Sequence, residues 1–98
     1  MILESLRQKM LAAQKTNDIH TLGVLRFLFA ALKNKEIELR PQKLELTDEE
    51  ALKVLKKQIK QRNDSIESYK TGNRQDLVDK ETKEREVLET LLNEYAHE

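Results

Sequence analysis

The 98-residue sequence has no cysteine and no tryptophan, one proline, two glycines, two tyrosines and two phenylalanines. Without cysteine, a disulfide framework and thiolate metal sites are both excluded. Gly23 and Gly72 stand alone, so neither a phosphate-cradling loop nor a dinucleotide fingerprint exists. Together with Pro41 they are too few turn residues for a β-sandwich. Long apolar runs are missing too: the stretch around Leu28 to Leu32 falls well short of the roughly 20 residues a membrane span needs. The opening Met1-Ile2-Leu3-Glu4-Ser5-Leu6-Arg7 has no basic region followed by an apolar core. No secretory signal is expected, and the cytoplasm is the default location. Nor does charge of one sign prevail, since eighteen basic and eighteen acidic side chains give a formal net charge of zero.

What is there is a near-equal mixture of hydrophobic (38%) and charged (37%) residues, which suits long amphipathic helices around a narrow core. The length is that of one domain, residues 1–98. Residues 51–74 carry seven basic groups and two acids, a local +5, whereas residues 75–98 carry three basic groups and eight acids, a local −5. Neighbouring antiparallel helices of opposite sign would explain this; a basic partner-binding face is the alternative.

Periodicity and punctuation predict an all-α fold of four helices in antiparallel hairpins, over about 2–15, 19–39, 48–70 and 74–95. In the first, Leu3, Leu6, Met10 and Ala13 recur at steps of three and four. Thr16-Asn17-Asp18 offers capping oxygens for the second. That helix is the most apolar, with a stripe of Ile19, Leu22, Leu25, Phe29 and Leu32 beside another of Val24, Leu28 and Ala31. Contact with more than one neighbour is expected. Gly23 within it costs roughly 1 kcal/mol relative to alanine, which points either to a close approach or to a tolerated defect. Arg40-Pro41-Gln42-Lys43 breaks the pattern. Thr47-Asp48-Glu49-Glu50 reads as a capping box that starts the third helix at Asp48. Gly72 is expected to take the left-handed conformation that closes this helix, and Asn73 to cap the fourth. So short a linker makes helices three and four one long antiparallel hairpin.

A seam of Leu52, Leu55, Ile59, Arg62, Ile66 and Tyr69 runs along helix three, and one of Leu77, Glu81, Glu84, Leu88, Leu91 and Tyr95 along helix four. Folding at Gly72-Asn73 sets Arg62 between Glu81 and Glu84. A guanidinium satisfies two carboxylates at once, so a structural Arg62–Glu81–Glu84 ion cluster is expected. Paired carboxylates also suggest acid–base chemistry or a metal. The arginine competes with a cation, however, and no His, Asp or Asn is placed to finish a coordination sphere, so no metal site is expected. Desolvation offsets most of the Coulomb gain, which leaves register as the cluster's expected role.

Other signs of catalysis are missing. His20 and His97 lie near helix ends without ligand spacing, and Ser5, Ser65 and Ser68 have neither a nearby histidine nor a nucleophile elbow. No catalytic residue and no cofactor is expected. Lys53, Lys57 and Lys60 line an outer stripe of helix three with Lys56 beside it, while Arg26 and Lys33 project from helix two and Arg40 and Lys43 from the following loop. Phosphate contacts need such groups, which makes Arg26, Lys33, Lys53, Lys57 and Lys60 the candidate RNA-binding residues. A solvated lysine face is the plainer alternative. With so few aromatics, stacking on single strands is not expected, and RNA would be read through its backbone and shape.

Several segments in fixed order carry a resemblance. Ser5-Leu6-Arg7 through Lys15, Leu22-Gly23-Val24-Leu25-Arg26-Phe27-Leu28, Ala30-Ala31-Leu32-Lys33-Asn34 and Glu36-Ile37-Glu38 look like the first two helices of the YqeY family's N-terminal helical domain, within the GatB/YqeY group. Leu46-Thr47-Asp48-Glu49-Glu50 followed by Lys57-Gln58-Ile59-Lys60-Gln61-Arg62-Asn63-Asp64-Ser65-Ile66-Glu67 is the most specific stretch. Asn73-Arg74-Gln75-Asp76-Leu77 and Glu81-x-x-Glu84-x-Glu86-Val87-Leu88 extend the likeness over nearly the whole chain. The resemblance implies four helices and kinship with the tRNA-holding C-terminal region of the Glu-tRNA(Gln) amidotransferase B subunit. It also implies the label carbon–nitrogen ligase-like with glutamine as amido donor, although in that enzyme the chemistry belongs to other domains and subunits. Members continue past a Tyr-Leu-Pro-like segment into a second small helical domain. The matching region here reads Leu91-Leu92-Asn93-Glu94-Tyr95-Ala96-His97-Glu98, so that domain is expected to be absent.

The expected function is a noncatalytic, tRNA-associated helical module. A protein-interaction module whose partner covers an exposed helix face is the alternative, and a carbon–nitrogen ligase-like activity is a third. No membrane partner is expected, and nothing in the residues sets an oligomeric state.

Overall fold

Helices form where the apolar spacing is helical and stop where a left-handed residue turns the chain. The four are α1 (Ile2–Lys15), α2 (Ile19–Leu39), α3 (Asp48–Thr71) and α4 (Gln75–Ala96), with a 3-10 turn at Arg40–Gln42 after α2. They belong to a computed structural model that describes residues 2–96, so the reading of His97 lies outside the described residues. No strand occurs among the described residues, and the fold is all-α. The chain divides into two compact units, Met1–Val54 and Leu55–Glu98, with the boundary inside α3.

Asparagine and lysine, not glycine, hold the left-handed positions: φ is 57° at Asn17, 58° at Lys43 and 57° at Asn73. After α1, Asn17 N–H donates to Gln14 O at 3.2 Å and Asp18 N–H to Ala13 O at 2.9 Å. After α3, Asn73 N–H donates to Lys70 O at 3.2 Å and Arg74 N–H to Tyr69 O at 2.9 Å. This paired return is the Schellman closure. The sequence points to Gly72 for the left-handed place, but Gly72 N–H continues the helical pattern to Ser68 O at 3.1 Å. Asn73 follows it and tolerates the conformation because a short polar side chain bonds locally. Asn73 therefore closes α3 instead of capping α4. The Arg74 carbonyl begins α4, accepting from Leu77 N–H at 3.1 Å and Val78 N–H at 3.0 Å.

Helix starts rest on side-chain oxygens. Asp18 Oδ1 accepts from Thr21 N–H at 3.2 Å. Hydrogen bonding to Thr21 holds its carboxyl below the usual aspartate value. Thr47 Oγ1 accepts from Glu50 N–H at 3.1 Å, while the Glu50 carboxylate meets Lys53 Nζ at 3.3 Å. Asp48 Oδ1 accepts from Ile2 N–H at 3.3 Å, so the first residue of α3 serves an otherwise unpaired donor of α1.

In the first unit the tight turn at Thr16–Asp18 folds α1 against α2. Leu6, Leu25, Leu28 and Leu32 are almost fully buried, with Ile2, Ala13, Val24 and Leu39 close behind. A Cβ added at Gly23 would meet nothing within 4 Å, so that glycine marks no close approach. Ile19, which the stripe placed inside, is 79% exposed at the first position of α2. In the second unit Leu55, Ile66, Val78, Leu88, Leu91 and Tyr95 are buried. Gln58 is buried where the seam pointed to Ile59, and Val78 where it pointed to Leu77. Steps of three and of four both stay on one helix face, and the structure takes three, from Leu55 to Gln58 and from Val78 to Glu81, where the seam took four.

Candidate functional site

Within the α3–α4 hairpin Arg62 Nη1 donates to Glu81 Oε2 at 3.0 Å and to Glu84 Oε2. Their side chains keep only 17%, 15% and 13% exposure. Next to them Arg85 Nη1 donates to Asn63 Oδ1 at 2.9 Å, and Arg85 Nε lies 3.2 Å from Glu89. Two cross-helix rungs thus join α3 to α4. The Arg62 guanidinium donates to both carboxylates, one from each of two successive turns of α4. Charge-assisted pairing of this kind favours a structural role over acid–base work.

The five candidate RNA contacts are not brought together in one unit. Arg26, Lys33 and Lys53 belong to the first, Lys57 and Lys60 to the second. Lys33 Nζ is 2.7 Å from Glu36, and this hydrogen bond, assisted by the charges of Arg40 and Arg7, holds the Glu36 carboxyl below its usual value. Lys53 meets Glu50 at 3.3 Å and Lys60 meets Asp64 at 3.2 Å, both exposed pairs within α3. Such pairs contribute only about 0.5 kcal/mol and yield readily to a phosphate. Lys56 and Lys57 are exposed on the same helix.

A feature that sequence reasoning missed lies between α1 and α2. A groove of about 300 Å³ is lined by Arg7, Met10, Leu11 and Gln14 from α1 and Leu22, Arg26 and Phe29 from α2. The Arg7 guanidinium stands over the Phe29 ring, 5.5 Å from its centre. Met10, Leu22 and Phe29 are half-buried, whereas Leu11 is 53% exposed. Leu11 falls off the stripe of Leu3, Leu6, Met10 and Ala13. An apolar residue outside the buried stripe, one turn from Arg7, was the signal available.

Comparison with known proteins gives this geometry a context. The family model described as Yqey-like protein matches residues 3–98. The chain is 42% identical over 71 residues to "Altered inheritance of mitochondria protein 41, mitochondrial" of Lachancea thermotolerans, covering 71% of this chain and 36% of that protein. The protein of the same name from Candida glabrata is 30% identical over 94 residues, covering 95% of this chain and 50% of that one. "Uncharacterized protein C22F3.15" of Schizosaccharomyces pombe is 31% identical over 91 residues, 93% of this chain and 72% of the relative. The chain therefore spans half or less of these two mitochondrial relatives. Their names correct the cytoplasmic expectation. Among the described residues no helix is long and apolar enough to cross a membrane.

Proposed function

The chain belongs to the Yqey-like protein family, and from that premise we propose that it is a noncatalytic helical module that associates with tRNA through backbone phosphates. The observation that carries this reading is the run of exposed lysines on α3: Lys56 and Lys57, with Lys53 and Lys60 held only by surface pairs. A stripe of ammonium groups on a rigid helix suits phosphate contacts that position an RNA without reading its bases. Arg62 is already engaged by Glu81 and Glu84, so it takes no part in this reading. On the strength of the relatives' names we extend the reading to the mitochondrion; recovery of the full-length tagged protein outside mitochondria would sink that part.

Titration with tRNA at increasing salt tests the main claim. Four lysine–phosphate contacts give a log–log salt slope of roughly −3, and Lys56→Glu with Lys57→Glu flattens it by about 2. No binding at low salt would return the module to a protein-interaction role. Glutamine-dependent amide formation by the purified chain would instead establish the ligase-like alternative.

A further inference from the structure

We propose that the α1–α2 groove is a docking site for an acidic amphipathic helix of a partner protein. Its dimensions come first. Arg7, Met10, Leu11 and Gln14 stand at i, i+3, i+4 and i+7, and Leu22, Arg26 and Phe29 at i, i+4 and i+7. Each wall is two helical turns long, roughly 10 Å at the rise of an α-helix. That length matches the ridge a partner helix presents with the same repeat.

Charge selects the partner. Both charged residues lining the groove are arginines, and no carboxylate lines it. The Arg7 guanidinium stands over the Phe29 ring, forms an exposed ion pair with Glu4 at 3.7 Å and contributes to lowering the Glu36 carboxyl. A partner carboxylate replaces that pair at little cost. Arg26 is exposed on the opposite wall. Between them Met10, Leu11, Leu22 and Phe29 offer an apolar floor. A nucleic-acid backbone would cover that floor without filling it, whereas leucines flanked by glutamates fill it and meet both arginines. Leu11, on the rim, is 53% exposed and offers an apolar contact to such a partner.

Fluorescence anisotropy with two labelled helical peptides tests the proposal. One carries leucines at i, i+3 and i+7 flanked by glutamates; its twin carries lysines in place of the glutamates. The glutamate peptide binds, and Arg7→Glu with Arg26→Glu weakens it by about tenfold or more while creating affinity for the twin. Leu11→Asp weakens it to a similar extent, and Lys57→Glu leaves it unchanged within about twofold, which separates this site from the tRNA reading. Arg7, Leu11 and Arg26 are exposed, and an unchanged thermal melt verifies that each variant folds. Equal affinity for both peptides, or indifference to the charge reversal, overturns the proposal. So does protection of Arg7 and Arg26 from phenylglyoxal by tRNA, or a concentration-dependent dimer abolished by Leu11→Asp, which would make RNA or a second copy the occupant.

Discussion

Arg62 keeps 17% side-chain exposure between two carboxylates, so removing it leaves Glu81 and Glu84 facing each other with little water between them. The cost of such a change is mainly that of stranding the remaining charges. Arg62→Ala is expected to lose about 3 kcal/mol of stability in urea unfolding. Lys53→Ala, which breaks an exposed pair with Glu50, should lose at most about 0.5 kcal/mol. Similar losses for the two variants would show that Arg62 is solvated. Replacing the whole cluster with Arg62→Met, Glu81→Leu and Glu84→Leu should keep or raise stability, because no charge is then left stranded. A large loss in that triple variant would mean the cluster stabilises outright, beyond fixing register.

At the scale of the element, the α3–α4 turn gives glycine and asparagine two separate roles. Gly72 has a helical role, and a Cβ there would meet Ser68 O at an ordinary 3.6 Å. Asn73 carries the left-handed φ of 57°. Gly72→Ala is therefore expected to stabilise by about 0.5 kcal/mol by restricting the unfolded chain. Asn73→Gly should gain a few tenths by relieving the left-handed penalty, roughly. Thermal melts of both variants check this, and a loss of stability in Gly72→Ala would place the left-handed residue back at Gly72. The same turn shows what was legible. Caps such as Asp18 and Thr47 were readable because their oxygens act at fixed spacing on nearby N–H groups. The meeting of Arg62 with Glu81 and Glu84 was readable because a short linker leaves one register. Burial at Gln58 and Val78 was not, because steps of three and of four fit one helix face equally well and spacing alone does not choose between them. The Asp48–Ile2 bond was not readable either, since it arises only when segments distant in sequence pack.

Over the whole molecule, zero net charge hides a local +5 on residues 51–74 and −5 on residues 75–98. Most ion pairs in α3 and α4 are exposed, as with Lys60–Asp64 and Arg74–Asp76, whereas the Arg62 cluster is largely shielded. Raising salt from about 0.1 M to 1 M shortens the screening length from roughly 10 Å to 3 Å, which removes long-range attraction between exposed groups but reaches shielded contacts less. Salt also strengthens or weakens apolar burial in general, and that effect cancels when a variant is compared with the wild type at each concentration. The penalty of Arg62→Ala should therefore persist at 1 M salt to within about a third, while any penalty of Lys60→Ala should vanish. Paired urea titrations at the two salt concentrations measure both. If the Arg62 penalty collapsed along with the other, the hairpin would be held in register by apolar contacts alone, and the guanidinium would be one more surface charge.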